Sequence, residues 1–160
     1  MDTSFVIVSF PRSGSNYLHG LITASFLNKT IFSSHWVKYL QKNNVIVPIR
    51  HPSESIASWV SLSNSETVES VAAWYERFYA ETLKNADNII ILDFNDLINF
   101  PQKVIKYLSN KTNYLYVEPD ISTINKNANI GLYKPLDIND VRLVKSIELY
   151  NALLKKKAMI

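Results

Sequence analysis

The sequence predicts an α/β fold with three layers, a parallel β-sheet flanked by helices on both sides. Three short apolar runs rich in β-formers, Phe5–Phe10, Val45–Ile49 and Asn88–Leu92, alternate with segments whose apolar residues recur every three or four positions. The 160 residues are enough for one domain with its own core, and neither a linker nor an internal repeat divides them. We therefore predict a single domain over residues 1–160.

The first element is the stretch Phe5–Leu18, FVIVSFPRSGSNYL, which predicts a buried strand, a turn of small residues and a helix over Ser15–Phe26. A turn of this kind directs backbone N–H groups and the positive end of a helix at one point, which favours an anion. Gly14 allows the backbone to approach a ligand closely, and Arg12 adds a fixed positive charge. An ordinary strand-to-helix connection is the alternative, and the full Walker pattern G-x-x-x-x-G-K-S/T is absent.

The rest of the chain continues the alternation of strands and helices. Pro48 cannot donate to a ladder, so the strand that contains it is expected to lie at a sheet edge or to end there. The further elements are a strand over Thr30–Ser33, a short helix over Trp36–Gln41, helices from Ser53 through Trp59 and over Glu66–Leu83, a helix after Pro101 that carries Val104, Ile105 and Leu108, a short strand over Tyr114–Val117, and a final helix capped by Asp137.

Four side chains that follow predicted strands are Phe10, His35, Arg50 and Phe94. Ligands of parallel α/β sheets bind beyond the carboxyl ends of the strands, so we expect these four side chains to converge on one site. Arg50 and Ser58 are eight residues apart, at a strand end and on the following helix, and both could face one anion.

Composition narrows the classes of function. The net charge of +3 and pI near 9.0 suit an anionic ligand but are too mild to imply nucleic acid. The sequence has no cysteine and no carboxylate or histidine cluster at ligand spacing, so we expect no metal site. No stretch is long enough to span a membrane, and the first residues lack the features of a secretion signal, so a cytoplasmic location is expected. The run Lys155–Lys157 is interpreted as the basic end of a helix.

Three segments, in order, resemble the sulfotransferases. FPRSGSNYL is similar to their 5′-phosphosulfate loop, F/Y-P-K/R-S-G-S/T-S/T-W/F/Y-L, and VIVPIRHPSESIASW is similar to their 3′-phosphate segment, a strand followed by R-x-P-x-E/D-x-x-x-S. IIILDFNDLINFPQKVIKYL resembles a later strand-and-helix block of the family. Together the matches cover Phe5–Leu108, about two thirds of the chain. The resemblance implies a P-loop-kinase-like fold that binds 3′-phosphoadenosine 5′-phosphosulfate (PAPS), with adenosine 3′,5′-bisphosphate as the product.

The resemblance also implies roles for single residues. Arg12 would contact the 5′-phosphate and the bridging oxygen, and Arg50 with Ser58 would hold the 3′-phosphate that separates PAPS from ATP. Tyr17 and Phe94 occupy positions near the adenine, although Tyr17 could equally pack in the core. The residues that would cradle the 5′-phosphate through backbone N–H groups and hydroxyls are Ser13, Gly14, Ser15 and Asn16.

His35 is the candidate general base, because members of the family place a histidine after the second strand. A neutral imidazole there would take the proton of an acceptor hydroxyl, whereas the alternative is a structural histidine. His51 is interpreted as an electrostatic neighbour of Arg50, and His19 as structural.

The sequence also departs from the family in three ways. The chain is shorter than typical members, its segment between Leu18 and His35 is short, and the family's C-terminal basic loop has no clear match. The nearest candidate for that loop is residues 125–134, NKNANIGLYK, where Lys126 and Lys134 could contact phosphate; a plain surface loop is the alternative. The predicted function is transfer of a sulfuryl group from PAPS to a hydroxyl, or an amine, of a small-molecule or carbohydrate acceptor. The alternatives are a small P-loop nucleotide kinase and a non-catalytic nucleotide-binding module.

Overall fold

The computed structural model describes residues 4–124 and 133–160, and a parallel sheet lies at the centre of this part of the chain. Its four strands are arranged in the order β2–β1–β3–β4. The strands are β1 Phe5–Val8, β2 Ile31–Ser34, β3 Val45–Ile49 and β4 Ile90–Asp93. The three predicted apolar strands and the short second strand are all present, each within a few residues of its expected bounds.

Helices cover both faces of the sheet, which confirms the predicted α/β class. The α-helices of the described residues are α1 Ser15–Ser25, α2 Pro52–Val60, α3 Val68–Lys84, α4 Phe94–Asn99, α5 Pro101–Thr112 and α6 Val144–Leu154. Short 3₁₀ segments occur at Val37–Gln41, Ala86–Asn88, Ile121–Thr123 and Val141–Leu143.

Two apolar cores, one on each side of the sheet, follow from the alternation of side chains along the strands. Phe5 and Ile7 of β1 pack with residues of α1, α4 and α5. Val6 and Val8 of the same strand pack on the opposite side with residues of α2, α3 and α6. All four residues are buried, so a strand of four residues joins both layers.

The strand order places the loop after β1 at the switch point of the sheet. The chain moves from β1 outward to β2 and then returns to the other side of β1 as β3. Because all pairs are parallel, the loops that follow the four strands emerge at one edge. In open parallel sheets this switch point is where ligands bind.

Pro48 lies in a central strand, so the expectation of a sheet edge was wrong, whereas the strand does end one residue later, at Ile49. The pairing of β1 with β3 covers Val45 and Ile46 and stops before Pro48. The carbonyl of Pro48 accepts a hydrogen bond from Tyr79 Oη at 3.2 Å. On that side of the strand the ladder has already ended, so the missing N–H of proline breaks no strand pair.

Three local predictions were also wrong. The segment at Tyr114–Val117 is not a strand. The helix at α2 is capped by His51, whose side chain accepts from the backbone N–H of Ser53, rather than by Ser53 itself. The last helix begins at Val144 rather than after Asp137.

Candidate functional site

The loop between β1 and α1 has a backbone that only a few residue types can adopt. Arg12 and Gly14 both have positive φ angles, 68° and 93°. A Cβ added at Gly14 would lie 2.6 Å from Cδ2 of Phe94, so a side chain does not fit there. The backbone of the loop therefore packs closely against Phe94 at Gly14, and α1 begins at the next residue, Ser15.

Ser13 is held in place by a hydrogen bond to a tyrosine of α3. Its Oγ lies 2.9 Å from Tyr79 Oη, and both residues are fully buried. The phenol proton of Tyr79 is donated to the carbonyl of Pro48, so the hydroxyl proton of Ser13 is the one shared between the two oxygens. The Ser13 hydroxyl thus maintains the loop conformation, while Ser15 is half-buried and Asn16 exposed at the start of α1.

Arg12 contacts the helix that follows β3. Its Nε donates to Oγ of Ser58 at 3.0 Å. Burial and then the positive charge of Arg50 lower the pKa of Arg12, although a guanidinium keeps its charge at any ordinary pH. The sequence pattern paired Ser58 with Arg50, whereas the structure places the Ser58 hydroxyl against Arg12.

Arg50, at the end of β3, is almost completely buried, with an exposed fraction of 5%. Its Nε donates to Oε2 of Glu54 at 2.9 Å, and its Nη1 donates to the backbone carbonyl of Arg12 at 3.2 Å. Its Nη2 donates to Oη of Tyr133. Phe94 covers the guanidinium, with 4.2 Å between Cζ and the ring centroid. One side chain thus joins the ends of β1, β3 and β4.

Two arginine side chains therefore lie close together, and among the described residues only Glu54 pairs a carboxylate with either of them. Buried charge is costly unless it is paired, and two like charges in proximity raise that cost. The edge of the sheet at Arg12 and Arg50 consequently carries an excess of positive charge. An anion with several oxygens would relieve it.

The two residues that the resemblance places near adenine have different surroundings. Phe94 follows β4 and packs between Arg50 and Gly14, at the same edge as both arginines. Tyr17 is 1% exposed and belongs to the core between the sheet and α1, α4 and α5. Its buried Oη has no hydrogen-bond partner within residues 4–124 and 133–160.

His35 lies just past β2 and is held by the first residue of the loop after β1. Its Nδ1 lies 2.7 Å from the backbone carbonyl of Ser9. Because a carbonyl only accepts, Nδ1 carries the proton and Nε2 is left with the lone pair in the neutral ring. His35 is exposed and lines a cavity. Its orientation is therefore suitable for a base that acts through Nε2.

The other two histidines have local partners. His19 of α1 is exposed and interacts with Thr23 one turn later. His51 caps α2 through Ser53, and burial lowers the pKa of His51. Among the described residues, neither histidine makes a hydrogen bond or an ion pair with Arg12 or Arg50.

Asp93 is the last residue of β4, where a nucleotide kinase would have an acidic residue, but its carboxylate is already paired within the protein. Oδ1 accepts from Oη of Tyr150 at 3.1 Å, and Nζ of Lys157 lies 4.0 Å from Oδ2. Lys157 also pairs with Asp96 at 2.6 Å. Asp93 therefore joins β4 to α6 and the residues that follow it.

Sequence reasoning missed three residues of the site. Glu54 could have been found, because it lies four residues after Arg50 and the R-x-P-x-E/D pattern contains it. Tyr79 and Tyr133 contact residues 66 and 83 positions away in the chain, and no local pattern indicates either contact. Lys134 is exposed, and Lys126 lies outside the described residues.

Two classes of feature were not found in the described part of the chain. No group of three or more histidine, aspartate or glutamate side chains is placed to hold a metal ion. No helix there is both long enough and apolar enough to cross a membrane.

Comparison with known proteins gives a likeness to a solved structure. No family model and no curated protein matches the chain. Among solved structures it is similar to the sulfotransferase domain from the Synechococcus PCC 7002 olefin synthase, with a TM-score of 0.65 and 13% identity. The likeness covers 96% of this chain and 94% of that chain. At this identity it shows the fold, so the chain has the fold of a sulfotransferase domain.

Proposed function

We propose that this chain is a PAPS-dependent sulfotransferase that transfers a sulfuryl group to a hydroxyl, or an amine, of a small-molecule or carbohydrate acceptor. The observation that carries the proposal is that Arg12 and Arg50, 38 residues apart in the chain, meet at the carboxyl edge of the sheet, where the Arg50 guanidinium donates to the backbone carbonyl of Arg12. The fold shared with a sulfotransferase domain supports the same assignment.

The residues present fit a nucleotide that carries two separate phosphate groups. The loop Arg12–Gly14 and the start of α1 offer backbone N–H groups and a positive helix end to the 5′-phosphosulfate. Arg50 offers Nη1 and Nη2, which now donate to neutral oxygens, to the 3′-phosphate. ATP lacks the 3′-phosphate, so it would leave the second group of donors unused.

Transfer is assigned to direct in-line displacement. The acceptor oxygen forms a bond to sulfur while the bond between sulfur and the 5′-phosphate oxygen breaks, and that oxygen keeps the electron pair. His35 accepts the acceptor's proton at Nε2, and its Nδ1–H bond to Ser9 keeps the ring in the required tautomer. Arg12 stabilises the negative charge that develops on the departing phosphate.

A nucleotide kinase is less well supported. The loop lacks the Lys-Ser/Thr pair of the Walker pattern, and the Asp93 carboxylate is bound to Tyr150 and near Lys157. A non-catalytic binding module would share the nucleotide site, so only turnover separates it from an enzyme.

The test combines binding with transfer. Calorimetry should show adenosine 3′,5′-bisphosphate binding more tightly than ATP with Mg²⁺, and label from ³⁵S-PAPS should appear on a member of a panel of hydroxyl compounds. Arg50→Ala should weaken the binding of adenosine 3′,5′-bisphosphate. Arg142→Ala, which removes a guanidinium from the surface pair with Asp140, should not change it. Equal affinity for ATP would refute PAPS binding, and binding without any transfer would assign the chain to the binding module.

A further inference from the structure

An apolar cavity of about 760 Å³ opens beside His35. This volume lies in the range of sites for small organic ligands. One wall follows β2 and the other belongs to α3; the apolar lining comprises Trp36, Val37, Trp74, Phe78 and Ala80.

The cavity is connected to the proposed reacting groups through His35 and a set of aromatic rings. His35 belongs to the lining and is bonded to Ser9, the residue that follows β1. The ring of Trp74 lies 4.7 Å from that of Trp59, which borders a smaller recess together with Arg12. The contact between Trp74 and Trp59 therefore joins the cavity that His35 lines to the recess that Arg12 borders.

The two indoles of the cavity are unusually open to solvent. Trp36 is 70% exposed and Trp74 is 38% exposed. Large aromatic side chains gain most when their faces are covered, and indole faces pair well with other planar rings. An occupant that covers both indoles is therefore favoured by burial of their surface.

The lining carries one side chain of each charge, Arg77 and Glu81. Arg77 and Glu81 lie four residues apart on α3, and the Glu81 carboxylate already accepts from Nζ of Lys84 at 2.6 Å. The wall otherwise offers few polar groups. A sugar would bring several hydroxyls that need partners, and burial of unpaired hydroxyls is costly.

We propose that this cavity is the acceptor site and that it takes a neutral, planar, apolar hydroxyl compound of about two fused rings, such as an aromatic alcohol. This assignment rests on the proposed function, because the hydroxyl proton is the one that Nε2 of His35 accepts during transfer. The occupant lies between Trp36 and Trp74, with its hydroxyl directed at His35.

The first experiment measures binding directly, with 2-naphthol as the probe. The matched compounds are decahydro-2-naphthol, which has the same hydroxyl on a non-planar saturated frame, and glucose. Calorimetry in the presence of adenosine 3′,5′-bisphosphate should rank 2-naphthol first. Trp36→Ala should lower the affinity for 2-naphthol about tenfold, since one stacked indole face is lost. Leu115→Ala, at a residue that is 94% exposed and outside the cavity lining, is the control and should change nothing.

The second experiment measures transfer from PAPS to 2-naphthol. Trp36→Ala should raise KM for 2-naphthol with little change in kcat, because it removes binding that is equal in ground and transition states. Affinity for adenosine 3′,5′-bisphosphate, measured on the same samples, should be unchanged, since Trp36 is not among the residues proposed to hold the nucleotide.

The outcomes separate the two proposals. If adenosine 3′,5′-bisphosphate binds but 2-naphthol does not, or glucose binds equally well, the acceptor assignment is overturned and the proposed function stands. If the bisphosphate does not bind to the native protein, both are overturned. Light scattering gives a further check, because a dimer that Trp36→Ala dissociates would assign the indoles to a second copy and refute the acceptor site.

Discussion

The Arg50 guanidinium predicts a measurable preference for a nucleotide with a 3′-phosphate. All three of its nitrogens already donate: Nε to Glu54, Nη1 to the carbonyl of Arg12 and Nη2 to the hydroxyl of Tyr133. A phosphate can therefore bind only by exchange, and the two neutral acceptors are the ones it can replace at a gain. The perturbation is the removal of Arg50 from the protein combined with the removal of the 3′-phosphate from the ligand.

The magnitude follows from this exchange. A hydrogen bond between neutral groups contributes about 1 kcal/mol, and one to a charged group about 2 kcal/mol. Two exchanged donors should therefore favour the 3′-phosphate by about 2 kcal/mol, or about 30-fold in affinity. If all the bonds of Arg50 were counted as new, without the exchange, the preference would be overestimated by more than a factor of ten.

Titration calorimetry with AMP and with adenosine 3′,5′-bisphosphate gives the affinity ratio for each protein. The ratio should be about 30 in the native chain and near 1 in Arg50→Gln, while Arg142→Gln, the surface control, should keep the native ratio. Arg50 also supports the loop through the Arg12 carbonyl, but a loop change affects both ligands and cancels in the ratio. A ratio that stays at the native value in Arg50→Gln would refute the assignment of the 3′-phosphate to Arg50.

Three further predictions concern the loop and the base. Arg12→Ala should lower kcat about 10²-fold and weaken the product nucleotide less, and an unchanged kcat in the folded variant would contradict its role on the leaving group. His35→Ala should bind the nucleotide normally but transfer at least about 10²-fold more slowly; a lower Tm with preserved turnover would identify a structural histidine instead. Tyr79→Phe should cost about 1–2 kcal/mol in unfolding free energy, because Ser13 loses its buried partner. Burial raises the pKa of Tyr79. The stability that its protonated form contributes is therefore full below about pH 10, the reference pKa of tyrosine, and is lost progressively as the pH rises from there toward the raised pKa. Tyr79→Phe should flatten that alkaline loss in denaturant titrations.

The α/β class could be predicted because it depends on local periodicity alone. The runs at β1, β3 and β4 are buried on both faces and therefore continuous in hydrophobicity, as parallel strands between two helical layers must be. The position of β3 inside the sheet could not be predicted. Pro48 argues locally for an edge, and only the short pairing of β1 with β3 explains why it is tolerated in the middle.

The segment at Tyr114–Val117 has the alternating pattern of a strand but does not form one. Its tyrosines do face a core, since Tyr114 packs edge-on against Phe5 at 5.4 Å and Tyr116 lies 6.3 Å from Phe26. Its backbone, however, joins no strand, and the amide of Val117 donates to the carbonyl of Ser25 at the end of α1. Alternating burial predicts which side chains are covered, whereas a strand also requires a free partner edge.

The position of a site residue could be predicted where it directly follows a strand. The hydrogen-bond partner of its side chain could not. Arg12 and Arg50 both follow strands of a parallel sheet, and this alone brings them to one edge. The eight-residue spacing predicted Ser58 beside Arg50, but Glu54 lies closer along the chain and accepts from Nε of Arg50, while the Ser58 hydroxyl accepts from Nε of Arg12. Ser58 should therefore affect the phosphate that Arg12 binds. It follows that Ser58→Ala should weaken the binding of AMP and of adenosine 3′,5′-bisphosphate by the same factor. A loss of affinity for the bisphosphate alone would instead show that Ser58 contacts the 3′-phosphate, as the family pattern implies.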